Sequence, residues 1–279
     1  MSRRDPYCDR REVALKLTPV IGFEVHAQLS TRTKIFCGCL NGSGGEPNTR
    51  TCPVCLGLPG ALPVTNEAVV DMGVLVALAL EARVSAEAAF ARKNYFYPDL
   101  PKGYQITQHA MPLARGGRLD ITVDGETSRV RIRQIHLEED AGKSMHVRVG
   151  GAAAGLLDMN RCGVPLVEIV TEPDISSIEQ ADAFLSELRD ILVYLGVSEC
   201  SMHEGGLRFD TNVSMRRGGE GAPGTHTEIK NLSSFRSVRR ALSYEIERQS
   251  RILKEGGKVE YETLLWDERQ QRALTARSK

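Results

Sequence analysis

The chain has 279 residues, 41% of them hydrophobic and 26% charged, with 36 basic residues balanced by 36 acidic ones. That length can bury a substantial core, and the neutral balance argues against affinity built on a broad basic surface while leaving local nucleic-acid contacts open. No run of about 18 apolar residues occurs and the N-terminus has no apolar signal core, which excludes a transmembrane-helix candidate and disfavours secretion.

Residues 1–18, with Asp5, Asp9 and Glu12 among arginines, are expected to be loosely ordered. A cytoplasmic domain over 19–279, without membrane contact, is expected to follow. Its first strand spans about 19–30. In GFEVHAQL (22–29), Phe23, Val25, Ala27 and Leu29 share one alternation, and Gly22, Glu24, His26 and Gln28 the other.

A loop from Cys37 to Pro63 then carries Cys37, Cys39, Cys52 and Cys55. Cys-x-Cys followed by Cys-x-x-Cys suits a closed, tetrahedral and therefore structural zinc site, in a zinc-binding loop over 36–56; four unligated thiols are the alternative. Seven cysteines, an odd number, favour metal binding or burial over a disulfide framework. Cys8 stands apart near the N-terminus, and Cys162 and Cys200 read as small buried side chains.

Asn66 is placed to cap a helix over about 67–82. The segment RKNYFYPDLPKGYQITQ (92–108) reads as a long structured loop. Its Tyr95, Tyr97 and Tyr104, with Lys93, Asn94 and Lys102, could stack on a nucleotide or an RNA end, or pin the loop itself. Strands follow at 118–124 and 128–138, joined by Asp124-Gly125, and then at 155–159 and 164–171. Ser177 caps a helix over about 178–195 that stops at Gly196. Strands near 206–215 and 225–231 precede a helix over about 234–255, ended by Gly256-Gly257, whose arginines read as a solvated face. The whole is one α+β domain with an antiparallel or mixed sheet.

The polar alternation of the first strand recurs. Val130, Ile132, Gln134, His136 and Glu138 are expected to share a face, with Glu139 and Asp140 at the following turn. Arg208, Asp210, Asn212 and Ser214 oppose Leu207, Phe209, Thr211 and Val213; His226, Glu228 and Lys230 oppose Thr227 and Ile229; Glu168 interrupts an apolar run. Any one such face could meet solvent. Acids, His, Asn and Gln recurring on several strands point instead to an oxygen-rich site for a hard cation such as Mg²⁺ with a phosphate substrate, because unneutralised acids so close would repel. Phosphoryl transfer is the chemistry this suggests, and a metal-dependent hydrolase would use the same residues. Neither GxxxxGK[ST] nor GxGxxG occurs. A non-catalytic zinc and RNA-binding module is the other reading.

The strings GFEVHAQL, FCGC with CPVCLGLPGALPV, RKNYFYPDLPKGYQITQ, HLEEDAGK, LDMNRCGVPLVEIVTEPD, LRFDTNVS and TEIKNLSSFRSV closely resemble the GatB family, the B subunits of the bacterial-type tRNA-dependent amidotransferase, from about residue 19 onward. The resemblance implies a cradle-like α+β domain similar to glutamine synthetase. It implies an ATP-dependent ligase that phosphorylates the side-chain carboxylate of Glu-tRNA(Gln) or Asp-tRNA(Asn), so that ammonia from a partner amidase displaces phosphate, with a small third subunit completing a heterotrimer. Activity is expected only with those partners. Carried onto this chain, Glu24, His26, Glu138 and Glu139 become the catalytic and Mg²⁺ residues. Arg208, Asp210, Glu228, Lys230 and Glu168 become ATP-site residues, and the four cysteines match the zinc-binding variant. The family continues past TARSK through a helical domain and a tRNA-gripping tail, so an N-terminal catalytic fragment is expected.

Overall fold

The computed structural model describes residues 16–42, 45–218 and 221–278. Cys8 and most of the N-terminal arm lie outside the described residues. In chain order the elements are β1 (Leu17–Gln28), α1 (Pro53–Leu56), α2 (Glu67–Ala79), β2 (Arg83–Val84), β3 (Ala91–Asn94), β4 (Tyr104–Thr107), β5 (Ala114–Arg115), β6 (Arg118–Val123), β7 (Glu126–Glu139), β8 (Lys143–Val149), β9 (Ala152–Asp158), a 3₁₀ turn (Met159–Arg161), β10 (Pro165–Thr171), α3 (Ile178–Tyr194), β11 (Leu207–Arg217), β12 (Thr227–Leu232), α4 (Phe235–Lys254), β13 (Glu262–Asp267) and β14 (Arg272–Ser278). No described helix is long and apolar enough to cross a membrane.

Ten strands form one mixed sheet in the order β14, β13, β12, β11, β1, β10, β7, β5, β2, with β6 attached to β7. β12 and β13 are parallel, whereas β1 pairs antiparallel with β10 on one side and β11 on the other. The first strand is therefore central, and both of its immediate neighbours come from distant parts of the chain. Two separate hairpins, β3–β4 and β8–β9, complete the strands.

One face of the sheet is the core. Phe23, Val25 and Ala27 of β1 and Phe209 and Val213 of β11 are fully buried there. Phe184 of α3 stacks on Phe23 with ring centroids 6.1 Å apart, and Phe235 of α4 tilts against Phe209 at 5.7 Å. α2 crosses at Gly73, where a Cβ would stand 2.6 Å from Leu113 Cδ2 and 2.9 Å from Leu137 Cδ2, so the close approach needs glycine. Asn66 and Ser177 cap α2 and α3 as expected, accepting from the backbone N–H of Ala68 and Gln180, and Ser234 caps α4 in the same way. With the helices on one face, the other face of the same strands is left for polar groups.

Several boundaries differ from the expectation. β1 takes in Leu17 and Thr18, since both pair with β11. Residues 92–108 form the β3–β4 hairpin with a loop between, because Ala91–Asn94 pairs with Tyr104–Thr107. β9 begins at Ala152, earlier than expected, and pairs with β8, which was not expected although Met145, Val147 and Val149 alternate with Ser144, His146 and Arg148. β7 does not keep one alternation. Its pairing with β10 shifts between Val170 and Thr171, so Val130 and Ile132 join the core while Gln134, His136 and Glu138 face the opposite side. β7 also runs through Glu139, so the turn begins later than expected. Asp124 and Gly125 both have positive φ, 51° and 82°, as a two-residue hairpin turn requires.

The β10–α3 corner is pinned by Asp174, which accepts from Arg131 N (3.0 Å), Nε (2.9 Å) and Nη2 (2.7 Å). Partial burial opposes ionisation, but these bonds to Arg131 lower the Asp174 carboxyl below its ordinary value. A depressed carboxyl stabilises the fold above its unfolded pKa of about 3.9 and loses that contribution as pH falls through the folded value. Asp174→Asn is expected to cost about 1 kcal/mol at neutral pH, a figure discounted for the exposed Arg131, and to flatten the acid limb of a stability curve followed by urea denaturation.

Candidate active site and cysteine cluster

The strand register assembles the polar face. His26 lies opposite Glu168 on β10 and Arg208 on β11, and Glu24 lies opposite Asp210. Glu168 is in turn opposite His136 on β7, and Asn212 opposite Glu228 on β12. Residues from five adjacent strands thus meet on one side, because side chains two apart share a face and the register aligns them.

Two groups of possible ligands result. In the first, His26 Nε2 is 3.3 Å from Glu168 Oε2 and 3.5 Å from Glu138 Oε1. His136 Nε2 sits 2.6 Å from the same Glu168 oxygen, and Thr107 donates to Glu138 Oε2 at 3.1 Å. In the second, Glu24, Asp210 and Glu228 each offer an oxygen within 4.8 Å of the others. Lys230 Nζ enters this group, 3.0 Å from Asp210 and 2.7 Å from Glu228, and Asn212 Nδ2 reaches Glu24 at 3.4 Å.

The electrostatics follow from crowding. Burial, then the charge of Glu168, raises the Glu24 carboxyl, with Lys230 opposing. Burial likewise raises Glu138, despite His26. Burial disfavours a charged His26, but its hydrogen bond to Glu168 and the charges of Glu168 and Glu138 prevail and raise the imidazole to about 9. Glu168 goes the other way: desolvation is outweighed by hydrogen bonds from His136 and His26, which hold it ionised. The face therefore carries alternating charges in a partly desolvated setting, and either group could hold a divalent cation.

Beside these groups Asp140 accepts from Arg208 Nη1 (3.0 Å), Arg208 Nη2 (3.1 Å) and Gln28 Nε2 (2.9 Å). Gln28, the third polar residue of the opening alternation, is thereby accounted for. Asp140 is buried, yet Arg208 and Arg161 lower its carboxyl below the usual range. Its removal leaves the half-buried Arg208 without its bidentate partner, so Asp140→Ala is expected to lower unfolding free energy by ~2 kcal/mol, a figure discounted for the 31% exposure of Arg208 and readable as a lower urea midpoint. A cavity of about 240 Å³ opens here, with His26, Glu138, Arg208 and Asp210 on the sheet side and Lys93 and Tyr95 from the β3–β4 hairpin on the other. Tyr97 points to solvent at 60% exposure, and Tyr104 lies under Arg92, 4.7 Å from the ring centre.

Glu139 is not brought to these groups. As the strand neighbour of Glu138 it points to the opposite side, where its carboxylate pairs with Lys102 and accepts from Ile106 N at 2.7 Å. The pleat of β7 sets Glu138 and Glu139 on opposite sides of the strand, so the expected pair is not brought together here. Lys102, for which the sequence left open a nucleotide contact or a part in pinning its own loop, is turned to Glu139. No site role followed from the sequence for Asp140 or His136, although the alternation Gln134-x-His136-x-Glu138 already signalled His136.

The four cysteines converge beyond Glu139 and Lys102, on the side of β7 away from the polar face. Cys37, Cys39, Cys52 and Cys55 have sulfurs within 4.8 Å of one another, with Cys52 and Cys55 3.9 Å apart. Tetrahedral coordination at about 2.3 Å sets sulfurs ~3.8 Å apart, so the set could hold a metal ion. α1 aims Cys55 inward and ends at Gly57 in the left-handed region. The fully buried Lys34 donates to Arg50 O (2.6 Å) and approaches Cys55 Sγ (3.8 Å). The Cys37 thiol bond, against burial, lowers Cys55, with Lys34 assisting; thiols become ligands in the deprotonated form.

Comparison with known proteins gives a consistent answer. The family model described as the GatB/GatE catalytic domain matches residues 19–279. A Moorella thermoacetica protein, named as the B subunit of an aspartyl/glutamyl-tRNA(Asn/Gln) amidotransferase, is 57% identical over 249 residues, 89% of this chain and 52% of its own length. Proteins of the same name from Carboxydothermus hydrogenoformans and Anaeromyxobacter sp. are each 53% identical, over 93% of this chain and 54% and 53% of theirs. The chain spans about half the length of the curated relatives it matches.

Proposed function

The chain belongs to the GatB/GatE catalytic-domain family, and on that premise we propose that it carries the phosphorylating site of a tRNA-dependent amidotransferase. In this reading ATP phosphorylates the side-chain carboxylate of Glu-tRNA(Gln) or Asp-tRNA(Asn): a carboxylate oxygen bonds to the γ-phosphorus and the bond to ADP breaks. Ammonia then attacks the acyl carbon, phosphate leaves, and the amide remains after loss of a proton. The observation that carries the proposal is the meeting of Glu24, His26, Glu138, Glu168, Asp210 and Glu228 on one face of adjacent strands. A glutamine-synthetase-like cradle is the finer reading of that sheet.

The donor set fits Mg²⁺, since carboxylate oxygens cluster where a phosphate substrate could complete the coordination. Glu24, Asp210 and Glu228 would hold one ion, and Glu138, Glu168 and His26 another. When bound, the metal would neutralise phosphate charge as the phosphoryl group transfers. The chain's own groups prepare for this. Lys230 holds Asp210 and Glu228 together by charge, while Arg208, locked by Asp140, presents a fixed cation to the cavity. His26 holds a proton between two carboxylates and must release it to act as a ligand. Glu168, held ionised between two histidines, keeps a carboxylate oxygen available to the cation.

The four cysteines would take structural Zn²⁺, their closed set leaving no open position. The assembly would be a cytoplasmic heterotrimer with an amidase subunit and a small third subunit, acting on mischarged tRNA. The deciding experiment is ATP-dependent formation of amidated tRNA by the reconstituted complex, offered each mischarged tRNA in turn. Failure with both, in a complex whose glutaminase works, would overturn the reading.

A further inference from the structure

The cysteine cluster and the polar face lie on opposite sides of one corner, residues 138–140 at the end of β7. Two contacts run from the cluster to it. Gly57, which ends α1 directly after the Cys52–Cys55 turn, lies so close to Lys102 that a Cβ there would collide with Lys102 Cγ. Lys102 Nζ pairs with Glu139, and the two side chains are only 6% and 3% exposed. By the second contact, Gly163 packs 3.4 Å from Cys55 Cβ, measured from its own ideal Cβ position, and its N–H donates to Asp140 O at 2.9 Å.

β4 closes the arrangement. Gln105 Nε2 donates to Glu139 O at 2.7 Å, Ile106 N to Glu139 Oε1 at 2.7 Å, and Thr107 Oγ1 to Glu138 Oε2 at 3.1 Å. The residues on both sides of Glu139 are thus held on the polar face, Glu138 against His26 and Asp140 against Arg208, while Glu139 is tied down from behind. In a strand the side-chain direction at one residue is set by its neighbours' backbone, so anchoring Glu139 aims Glu138.

We propose that Lys102 and Glu139 are positioning residues that transmit the geometry of the cysteine cluster to Glu138, so that the cysteine site governs how the polar face holds a divalent cation and nucleotide. This rests on the reading of the polar face as the metal and ATP site. A purely local structural role for the pair would lower the melting temperature and leave affinity in the folded protein unchanged.

The test is calorimetric titration of the whole protein with Mn²⁺ and ATP, with zinc content and the melting curve measured on each sample. Lys102→Met and Glu139→Gln are expected to stay folded with unchanged zinc content and to bind Mn²⁺ with ATP about tenfold more weakly. Lys102→Arg, which keeps the charge, is expected to recover most of the loss. Wild-type affinity in both Lys102→Met and Glu139→Gln would overturn the coupling; should Lys102→Met not fold, the isosteric Glu139→Gln decides alone. Glu24→Ala separates the two levels of inference. If the unsubstituted protein binds no Mn²⁺ with ATP, the site reading fails and the coupling with it. If it binds, and Glu24→Ala but neither corner variant loses affinity, only the coupling fails.

Discussion

On the proposed reading, Glu24→Ala is expected to lower ATP-dependent amidation of mischarged tRNA by about 10²–10³-fold, the scale on which removal of one preorganised charge-stabilising group acts, while the glutaminase activity of the proposed amidase partner stays unaffected. Glu24 shares its group with Asp210 and Glu228, and Lys230 already bridges the latter two. Removing Glu24 therefore takes away the carboxylate that Lys230 does not pair with directly, and with it the oxygen most available to a cation. The same crowding raises the Glu24 carboxyl above its ordinary value through burial and the Glu168 charge. Its ionised form is consequently unfavourable to the fold, and the variant should melt at the same temperature or slightly higher, as is common where charge is concentrated for function. Assaying both activities and the melt on one preparation checks the expectation. Retained amidation would remove Glu24 from the site.

Loss of the cysteine site should produce the largest stability effect. Cys52→Ser with Cys55→Ser, or treatment with a strong chelator, is expected to lower the melting temperature by on the order of 10 °C, equivalent to several kcal/mol in a domain of this size. The four thiols stand at mutual distances suited to one ion, and α1 is too short, at four residues, to be stable without an anchor. The buried Lys34 adds a reason: near a four-thiolate site its charge is matched, whereas four neutral side chains would leave it supported only by Arg50 O. Metal analysis alongside calorimetric melting decides the matter, and a melt unmoved by chelation would show that no structural ion is held.

Much of this was legible in the chain itself. The Cys-x-Cys and Cys-x-x-Cys pairs bring four thiols together because each pair is local and the intervening loop is short. The alternation in GFEVHAQL places Glu24, His26 and Gln28 together because a strand's side-chain period is two. Asn66 and Ser177 mark the starts of their helices by the caps they provide. The strands β8, β13 and β14 were not expected: Met145, Val147 and Val149 of β8 do alternate with Ser144, His146 and Arg148, whereas β13 and β14 show no clean alternation and take their strand character from pairing with each other.

What the sequence by itself determined is which residues share a face within each uninterrupted strand, where the helices begin, and which cysteines can meet. The tertiary structure decided three further things. It placed β1 between β10 and β11, bringing acids from Glu24 to Glu228 onto one face of the sheet, and strand order depends on long-range pairing that no local pattern encodes. It put a bulge in β7, which turned His136 and Glu138 away from Val130 and Ile132, because one extra residue reverses every later side chain. It also carried β7 through Glu139, so that two adjacent glutamates in HLEED face opposite ways: Glu138 toward His26, Glu139 toward Lys102 and the cysteine cluster. Sequence adjacency suggested a pair, and the pleat of the strand separated them.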